Sequence, residues 1–362
     1  MITVSFKCRF RMLKGVIKDD SSCMRGSVSA QDSPSAQVQA ASSLRHSIPE
    51  ECKGRVTVEL VKKEASSLGL SISGGADKES LAWVSNLRPG GVASRSDELC
   101  IGDLLRAVNG IRLSRLQHDE IVSLLGNVGK RAVLDVEYLL PSLPDGNTIT
   151  KTLEVSLQKE VNSFGFILRG GFHPDSCKSR PLVIVLIRPG GPADREGSLR
   201  IGDRLVGVDG ACVQAFSLED VLALLKCCGH ESQLLVEYDC CNPGTLRSES
   251  VPMTVELVET AGASLGIALS TTTFEMGQQA VIIENVRAGS AADRCGMLRA
   301  GDQLLAVDGV GLEHQGLEEA VRLLAGAGDK VRLLVMPNGE MTPESYELGI
   351  GKFFFITFTQ TL

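Results

Sequence analysis

The sequence lacks the features by which enzymes, membrane-spanning proteins and secreted proteins are most often recognised. No stretch approaches the ~18–20 consecutive apolar residues of a membrane-spanning helix, and the N-terminal stretch MITVSFKCRFRMLKG has neither the apolar core nor the cleavage site of a secretory signal. The zinc motif H-E-x-x-H is absent, and the five histidines are isolated. A net charge of −7 gives no general attraction for nucleic acid or an anionic membrane. We therefore expect a soluble, non-catalytic protein that binds no metal, no other cofactor and no nucleic acid.

Cysteine is present, but in no pattern typical of a disulfide framework or a zinc site. The eleven cysteines are an odd number, they are scattered along the chain, and the spacing C-x-x-C is absent. Two pairs are adjacent in sequence, Cys227–Cys228 and Cys240–Cys241. Disulfides are rare in the reducing cytosol, so this usage favours reduced thiols in a cytoplasmic protein.

Related segments recur at intervals of about 100 residues. SLGLSISGG begins at Ser67, SFGFILRGG at Ser163 and SLGIALSTT at Ser264. A second set of segments ends in Asn-Gly or Asp-Gly: LCIGDLLRAVNG at Gly110, LRIGDRLVGVDG at Gly210 and LRAGDQLLAVDG at Gly309. This period is too long for a solenoid unit and typical of a small autonomous domain, so the sequence predicts three such domains.

Each repeat has the same order of secondary-structure signals. A stretch that alternates apolar and polar residues comes first, as in a half-buried strand. Further strand-like stretches end at turns, and HDEIVSLLGN, LEDVLALLKC and LEEAVRLLAG place apolar residues three and four apart, as in an amphipathic helix. The sequence predicts a mainly β, α+β fold, in which each domain is a small, partly open barrel of five or six strands capped by two helices.

Composition divides the chain into domains, linkers and flanking segments. The linkers are rich in Pro, Gly, Ser and Asn, and the N-terminal region in Ser, Gln, Ala and Asp, which indicates disorder. The predicted division is 1–52 (disordered N-terminal region), 53–140 (first domain), 141–150 (linker), 151–240 (second domain), 241–251 (linker), 252–338 (third domain) and 339–362 (divergent tail).

The central glycine of each repeated loop lies between apolar residues. Glycine lets the backbone curl so that successive N–H groups converge, and converging amides bind an anion without a charged side chain. A phosphate loop opens a helix, whereas this loop opens a strand. The apolar surroundings suit a C-terminal carboxylate carrying Val, Leu or Ile, and the strand edge can accept the peptide as an added strand. The predicted carboxylate-binding residues are Leu68, Gly69, Leu70, Phe164, Gly165, Phe166, Leu265, Gly266 and Ile267.

The third loop also matches a catalytic motif. Residues 262–266 read G-A-S-L-G, the G-x-S-x-G pattern of α/β-hydrolases, with Ser264 at the nucleophile position. That nucleophile lies on a turn from a strand to a helix, whereas the residues after Gly266 read as a strand. No histidine with a suitable acidic partner recurs, so we reject the hydrolase interpretation.

Each repeat resembles a PDZ domain, because the apolar-Gly-apolar loop, the Gly-Asp turn and the second helix follow in that order over residues 53–338. The stretches VSFKCRF, SIPEE, VSNLRPGG, IRPGGPADREG and GASLGIALSTT are similar to the glutamate receptor-interacting proteins, a family of multi-PDZ scaffolds of neurons. Members of that family have further PDZ domains, and this chain resembles the first three. The resemblance implies a PDZ fold and the binding of C-terminal peptides.

The resemblance also implies roles for individual residues. In PDZ domains the residue that opens the second helix reads the third-from-last ligand position, so His118 implies Ser or Thr there, whereas Leu218 implies an apolar residue. Lys63 and Lys159 match the basic position that supports the carboxylate, where the third domain has Thr260. The implied pockets for ligand side chains contain Leu70, Ile72, His118, Val122 and Leu125 in the first domain, Leu168, Leu218, Leu222 and Leu225 in the second, and Leu269, Leu317, Val321 and Leu324 in the third.

Two functional interpretations stay open. In the first, the chain is a scaffold or adaptor that binds tails of membrane receptors and signalling proteins, and assembles and traffics complexes at synaptic membranes. In the second, the domains form a structural supramodule that acts through domain–domain surfaces, and the pocket leucines are ordinary core residues. Homo-oligomers are compatible with both.

The N-terminal region contains two candidate modification sites. Cys8 lies among basic residues, as in palmitoylated anchors, with an unmodified thiol as the alternative. Ser47 ends the stretch Arg45-His46-Ser47, which resembles a basophilic kinase site or is an incidental match. We expect a cytoplasmic protein that is peripheral to the plasma membrane, the synapse and trafficking vesicles.

Overall fold

The computed structural model describes residues 2–3, 49–63, 66–142, 148–161, 163–242, 251–258, 265–273, 279–312, 316–326, 328 and 330–338. Within these residues each repeat forms its own antiparallel sheet with two helices. No helix in these ranges is long and apolar enough to cross a membrane.

The first domain follows a two-residue strand, β1 (Ile2–Thr3), and a 3-10 turn at Glu50–Cys52. Its elements are β2 (Lys53–Val61), β3 (Leu70–Gly75), β4 (Ser80–Leu87), α1 (Val92–Arg95), β5 (Leu104–Val108), β6 (Ile111–Arg112), α2 (His118–Gly126) and β7 (Arg131–Leu139), with a 3-10 turn at Ala76–Lys78. The strand order is β2-β7-β5-β4-β3, and β6 pairs with β5.

The second and third domains repeat this order. The second consists of β8 (Thr148–Gln158), β9 (Phe166–Gly171), β10 (Arg180–Ile187), α3 (Pro192–Glu196), β11 (Arg204–Val208), β12 (Ala211–Cys212), α4 (Leu218–Cys227) and β13 (Glu231–Cys241). The third consists of β14 (Met253–Val258), β15 (Ile267–Thr273), β16 (Gln279–Val286), α5 (Ala291–Cys295), β17 (Gln303–Val307), β18 (Val310–Gly311), α6 (Leu317–Ala325) and β19 (Lys330–Met336). Their strand orders are β8-β13-β11-β10-β9 and β14-β19-β17-β16-β15, and β1 pairs in parallel with β14.

The alternating stretches form strands with one buried face. In β2, Val56, Val58 and Leu60 are buried and the residues between them are exposed. The Asn-Gly pair at Asn109 turns the chain between β5 and β6 with φ values of 48° and 80°, the left-handed conformation that a tight hairpin needs. The predicted fold class is confirmed, and the sheets are open rather than closed barrels. The elements β1 and Glu50–Cys52 lie inside the region predicted as disordered.

The first two domains contact each other through a buried arginine. Tyr138 of β7 and Asp103, which precedes β5, form a site that we call the arginine socket of the first domain. Arg169 of β9 fills it: its Nη2 donates to Asp103 Oδ2 over 2.6 Å, and its Cζ lies 4.4 Å from the centre of the Tyr138 ring. Both side chains of this ion pair are almost fully buried. Such a charge-assisted bond fixes how the two domains sit against each other.

A second arginine socket lies 100 residues farther along, at the equivalent positions of the second domain. It consists of Tyr238 and Asp203, and Arg294 of α5 in the third domain fills it. Arg294 Nη1 and Nη2 donate to the two carboxylate oxygens of Asp203 over 2.6 and 2.8 Å, and Cζ lies 4.5 Å from the Tyr238 ring centre. The two sockets therefore hold arginines from different elements, a strand in one case and a helix in the other.

Candidate peptide-binding grooves

The glycine loop of the first domain turns two N–H groups away from the protein. The Ala93 N–H donates to the Leu68 carbonyl over 2.9 Å, and the Arg88 N–H donates to the Gly69 carbonyl over 2.7 Å. In a trans peptide the N–H points opposite to the carbonyl, so the N–H groups of Gly69 and Leu70 point away from these donors. Gly69 has a φ of +76°, and an added Cβ would lie 3.0 Å from the backbone of Gly91. The loop therefore needs glycine.

The other two loops have the same anchoring. Arg188 N–H binds the Gly165 carbonyl and Arg287 N–H binds the Gly266 carbonyl, each over 2.8 Å. Gly165 and Gly266 have φ values of +82° and +75°. The sequence prediction of three alike backbone loops thus corresponds to three alike geometries.

The groove of the first domain lies between β3 and α2 and is apolar and accessible. Leu68 is buried, while Leu70, Ile72 and Leu125 are half-buried and pack on the core. Val122, on the same helix, is 48% exposed. These predicted pocket residues are therefore brought together, with surface left to contact a ligand.

His118 is held in one tautomer by the backbone. Its Nδ1 lies 2.9 Å from the Gly74 carbonyl oxygen. Because a carbonyl only accepts, Nδ1 carries the proton, and in the neutral ring Nε2 is an acceptor. The His118 backbone N–H donates to Asp77 Oδ1 over 2.6 Å, and this bond holds the pKa of the Asp77 carboxyl below its ordinary value. Sequence reasoning missed Asp77, which lies 41 residues before His118 and shows no local motif with it.

The two predicted basic residues differ in position. Lys63 is exposed beside the first loop, where its carbonyl accepts hydrogen bonds from Ser66. Lys159 is 9% exposed, and its Nζ donates to the carbonyls of Lys226 and Cys228 at the end of α4. Lys159 Nζ also lies 5.6 Å from the centre of the Phe164 ring. The ammonium group of Lys159 therefore contacts both the end of α4 and Phe164 of the second glycine loop.

The groove of the second domain is buried. Phe164, Phe166, Leu168, Leu218 and Leu225 are each less than 9% exposed, and only Leu222 of the predicted set is half-buried. Its strand β9 is buried along its whole length, on both faces. In an open groove of this kind one face of the strand contacts solvent. Because both faces of β9 are buried, another part of the chain covers this strand.

The groove of the third domain resembles that of the first. Leu265 and Leu269 are buried, and the remaining pocket residues are half-buried: Ile267, Leu317, Val321 and Leu324. Thr260 and Ser264 lie outside the described residues, as do Cys8 and Ser47. In the part of the chain that the structure describes, no cluster of three or more His, Cys, Asp or Glu residues could hold a metal ion.

A family model described as "PDZ domain" matches residues 57–138, 154–237 and 254–336, one match on each sheet. The chain belongs to the PDZ-domain family. It is 48% identical over 340 residues to Glutamate receptor-interacting protein 1 of Homo sapiens, which covers 93% of this chain and 30% of the relative. It is 49% identical over 323 residues to Glutamate receptor-interacting protein 2 of Xenopus laevis, covering 88% and 29%. Disks large homolog 4 of Danio rerio is 26% identical, over 78% of this chain and 40% of its own length.

A solved structure of the Dlg1 PDZ2 domain from the choanoflagellate Monosiga brevicollis matches 24% of this chain and 99% of its own, with 27% identity and a TM-score of 0.22. The chain spans less than a third of the length of its glutamate receptor-interacting relatives. The resemblance noted from the sequence is confirmed: this is a protein with three PDZ domains, similar to part of those relatives.

Proposed function

We propose that this chain is a non-catalytic scaffold whose PDZ grooves bind the C-terminal tails of membrane receptors and other signalling proteins. The observation that supports this most directly is the first loop, where the bound carbonyls of Leu68 and Gly69 turn two N–H groups outward. Those N–H groups lie at the end of an apolar groove, which suits a carboxylate attached to an apolar side chain.

In the first domain the tail adds as an antiparallel strand along β3. The N–H groups of Gly69 and Leu70 donate to the terminal carboxylate, and the last side chain enters the pocket of Leu70, Ile72 and Leu125. A four-residue tail buries little surface, so one groove binds with a Kd of about a micromolar.

His118 gives the first groove its preference. With Nδ1 bonded to Gly74, its Nε2 accepts a hydrogen bond from a Ser or Thr hydroxyl at the third-from-last ligand position. The third domain has Leu317 at the equivalent position, which favours an apolar ligand residue. Two grooves of different preference on one chain raise the effective concentration for clustered tails, and so assemble complexes.

The names of the relatives state an interaction with glutamate receptors. We place the partners of this chain in the same general class, tails of membrane receptors, at the cytoplasmic side of neuronal membranes and trafficking vesicles. A lipid on Cys8, together with the basic residues next to it in sequence, would strengthen attachment to a membrane. Phosphorylation of Ser47 would add negative charge shortly before the first domain in sequence.

The second candidate function is a structural supramodule, and the two filled arginine sockets favour it as a partial role. Arg169 and Arg294 join successive domains through buried ion pairs. A rigid array would fix the distance between open grooves, or present outer surfaces to a second copy of the chain. This role and tail binding are compatible.

The test is fluorescence anisotropy with the full chain and a labelled octapeptide that ends in Thr-Ala-Val. We expect binding to be lost when the peptide terminus is amidated. Replacing the peptide Thr by Val should weaken binding by about tenfold, the worth of one hydrogen bond. In the His118→Leu variant this difference should disappear.

The matched control is Ser123→Leu, an exposed position on the same helix. It should leave both the affinity and the Thr preference unchanged. Binding that does not depend on a free carboxylate would leave the supramodule as the function.

A further inference from the structure

Asp97 adopts a backbone conformation that the other two domains assign to glycine. Its φ is +53°, whereas the equivalent Gly197 and Gly296 have φ values of +83° and +69°. Glycine reaches this left-handed region without steric cost, and an aspartate does so less readily. The turn after α1 therefore carries a carboxylate at a position where the fold alone favours glycine.

That carboxylate reaches into the glycine loop of the second domain. Asp97 Oδ2 accepts a hydrogen bond from Ser163 Oγ, and Ser163 Oγ accepts one from the Gly165 N–H over 3.0 Å. Arg188, which anchors the same loop, donates from Nε to Asp97 Oδ1 over 3.0 Å. The Asp97 side chain is 4% exposed. Ser163 at the start of the proposed carboxylate loop, and the arginine that anchors this loop, thus hold an internal carboxylate.

Glu98, the next residue, contacts both sides of the groove, the helix α4 and the strand β9. Its side chain pairs with Lys226 Nζ of α4 over 2.7 Å, and its backbone carbonyl accepts from Arg169 Nη2 of β9 over 3.0 Å. Because a bound tail would lie between α4 and β9, residues that bond to both elements lie across its path.

The first domain also reaches the other end of the groove. A cleft of about 440 Å³ there is lined by Lys53, Arg55 and Tyr138 of the first domain and by Gly171 and Leu218 of the second. Nearer the middle of the strand, Arg169 Nη2 donates to Asp103 Oδ2 of the first domain over 2.6 Å. The first domain accordingly covers β9 from the loop to the start of α4.

Three of the residues that make these contacts differ from the residues at the equivalent positions of the other two domains. Asp97 replaces glycine, Arg169 of β9 stands where the other domains have Ser73 and Ser270, and Lys226 stands where they have Gly126 and Ala325. The loop serine, by contrast, is common to all three repeats. In each contact that closes the second groove, at least one partner is therefore specific to this pair of domains.

We infer that the first domain is an internal ligand of the second: Asp97 and Glu98 occupy the carboxylate end of the second groove and keep C-terminal tails out while the domains are docked. This inference rests on the proposed function, in that the loop is a carboxylate site. The affinity of the second groove for a tail is reduced by the fraction of molecules in which the first domain is undocked. Tail capture by the second domain and docking of the first are mutually exclusive.

The test uses the full chain and photo-crosslinking. The probes are octapeptides with a C-terminal photoleucine, one with Leu and one with Thr at the third-from-last position, and their amidated forms. Crosslinked segments are identified by mass spectrometry, so that 163–171 and 218–227 report the second groove and 67–75 and 118–126 the first. We expect the wild type to crosslink in the first groove, and Asp97→Gly to increase crosslinking in the second by about tenfold or more.

Asp97→Gly gives the first domain the residue that the other two have, so its fold is retained. Asp97→Asn, which keeps the shape and tolerates a positive φ, should act in the same direction. The control is Asn109→Gly, another change at a positive φ in the first domain, whose side chain accepts from the Val133 N–H. It should leave the second groove closed.

Hydrogen exchange without peptide is the second readout. Amides of 163–169 should exchange about tenfold faster in Asp97→Gly than in Asn109→Gly. A wild-type second groove that crosslinks as strongly as that of Asp97→Gly overturns the inference, and so does an unchanged exchange rate together with no gain in crosslinking. Failure of the proposed function would be seen separately, as an absence of carboxylate-dependent crosslinks in the first groove.

Discussion

Replacing Arg294 with alanine should detach the third domain from the second. The Arg294 guanidinium makes two bonds to Asp203 and donates from Nη2 to the Ser198 carbonyl over 3.1 Å. The Asp203 side chain is 2% exposed, so the variant leaves a buried carboxylate without its main partner. Removing one member of a buried ion pair costs roughly 3–5 kcal/mol.

The lower end of that range applies here. The Arg294 side chain is 15% exposed, and Asp203 keeps a hydrogen bond from the Arg200 N–H over 2.8 Å. A loss of about 3 kcal/mol at about 1.4 kcal/mol per factor of ten raises the undocked population roughly 100-fold.

The Gly289 amide reports this docking directly. It donates to Asp293 Oδ2 over 3.0 Å and to the Tyr238 hydroxyl over 3.2 Å, and the latter bond crosses the interface. Hydrogen exchange at Gly289 should therefore become about 100-fold faster in Arg294→Ala. The matched control is Arg322→Ala, whose ion pair with Glu319 is exposed and contributes about 0–1 kcal/mol. Equal exchange in the two variants would refute the assignment of docking energy to the socket.

Two further predictions concern ionisation. Although burial opposes it, the hydrogen bonds from Lys151, the Tyr238 hydroxyl and the Gly289 N–H hold the pKa of Asp293 below its ordinary value of 3.8. The stability from this group is complete above 3.8 and is lost as the pH falls through the lowered pKa; exchange at Gly289 should quicken below about pH 3.8, and an Asp293→Asn variant should lack this acid step. Burial raises the pKa of Cys100 to about 12, so at pH 8 iodoacetamide should label the exposed Cys177, Cys212 and Cys227 and spare Cys100. Mass spectrometry of the labelled sites decides this, and fast labelling of Cys100 would contradict the burial.

The fold was predictable because its signals are local and occur three times. Alternation in Val56–Leu60 gives the half-buried strand, and Asn109-Gly110 gives the hairpin turn, each within a few residues. The glycine loop was predictable for the same reason, since glycine adopts the positive φ at Gly69 without steric cost and an added Cβ would lie 3.0 Å from the Gly91 backbone. Repetition turned weak local patterns into a consistent prediction for each domain.

The contacts between domains were not predictable from these patterns. Arg169 bonds to a residue 66 positions earlier, and Arg294 to one 91 positions earlier. No periodicity links such positions, because the geometry that joins them arises only when two complete domains meet. The signal that was available lies in the departures from the repeat: an arginine at 169 in place of serine, and Asp97 in place of glycine.

The two contacts between successive domains use the same kind of arginine socket, but one leaves the groove covered and the other leaves it accessible. Tyr138 with Asp103 and Tyr238 with Asp203 present the same surface to the next domain. Between the first and second domains the arginine comes from β9, the strand to which a tail would add. Docking therefore brings the first domain over the second groove and buries β9. Between the second and third domains the arginine comes from the helix α5. The third groove stays accessible, since Ile267 and Leu317 are only half-buried. Whether a docked PDZ domain keeps an accessible groove is thus decided by which of its elements carries the arginine.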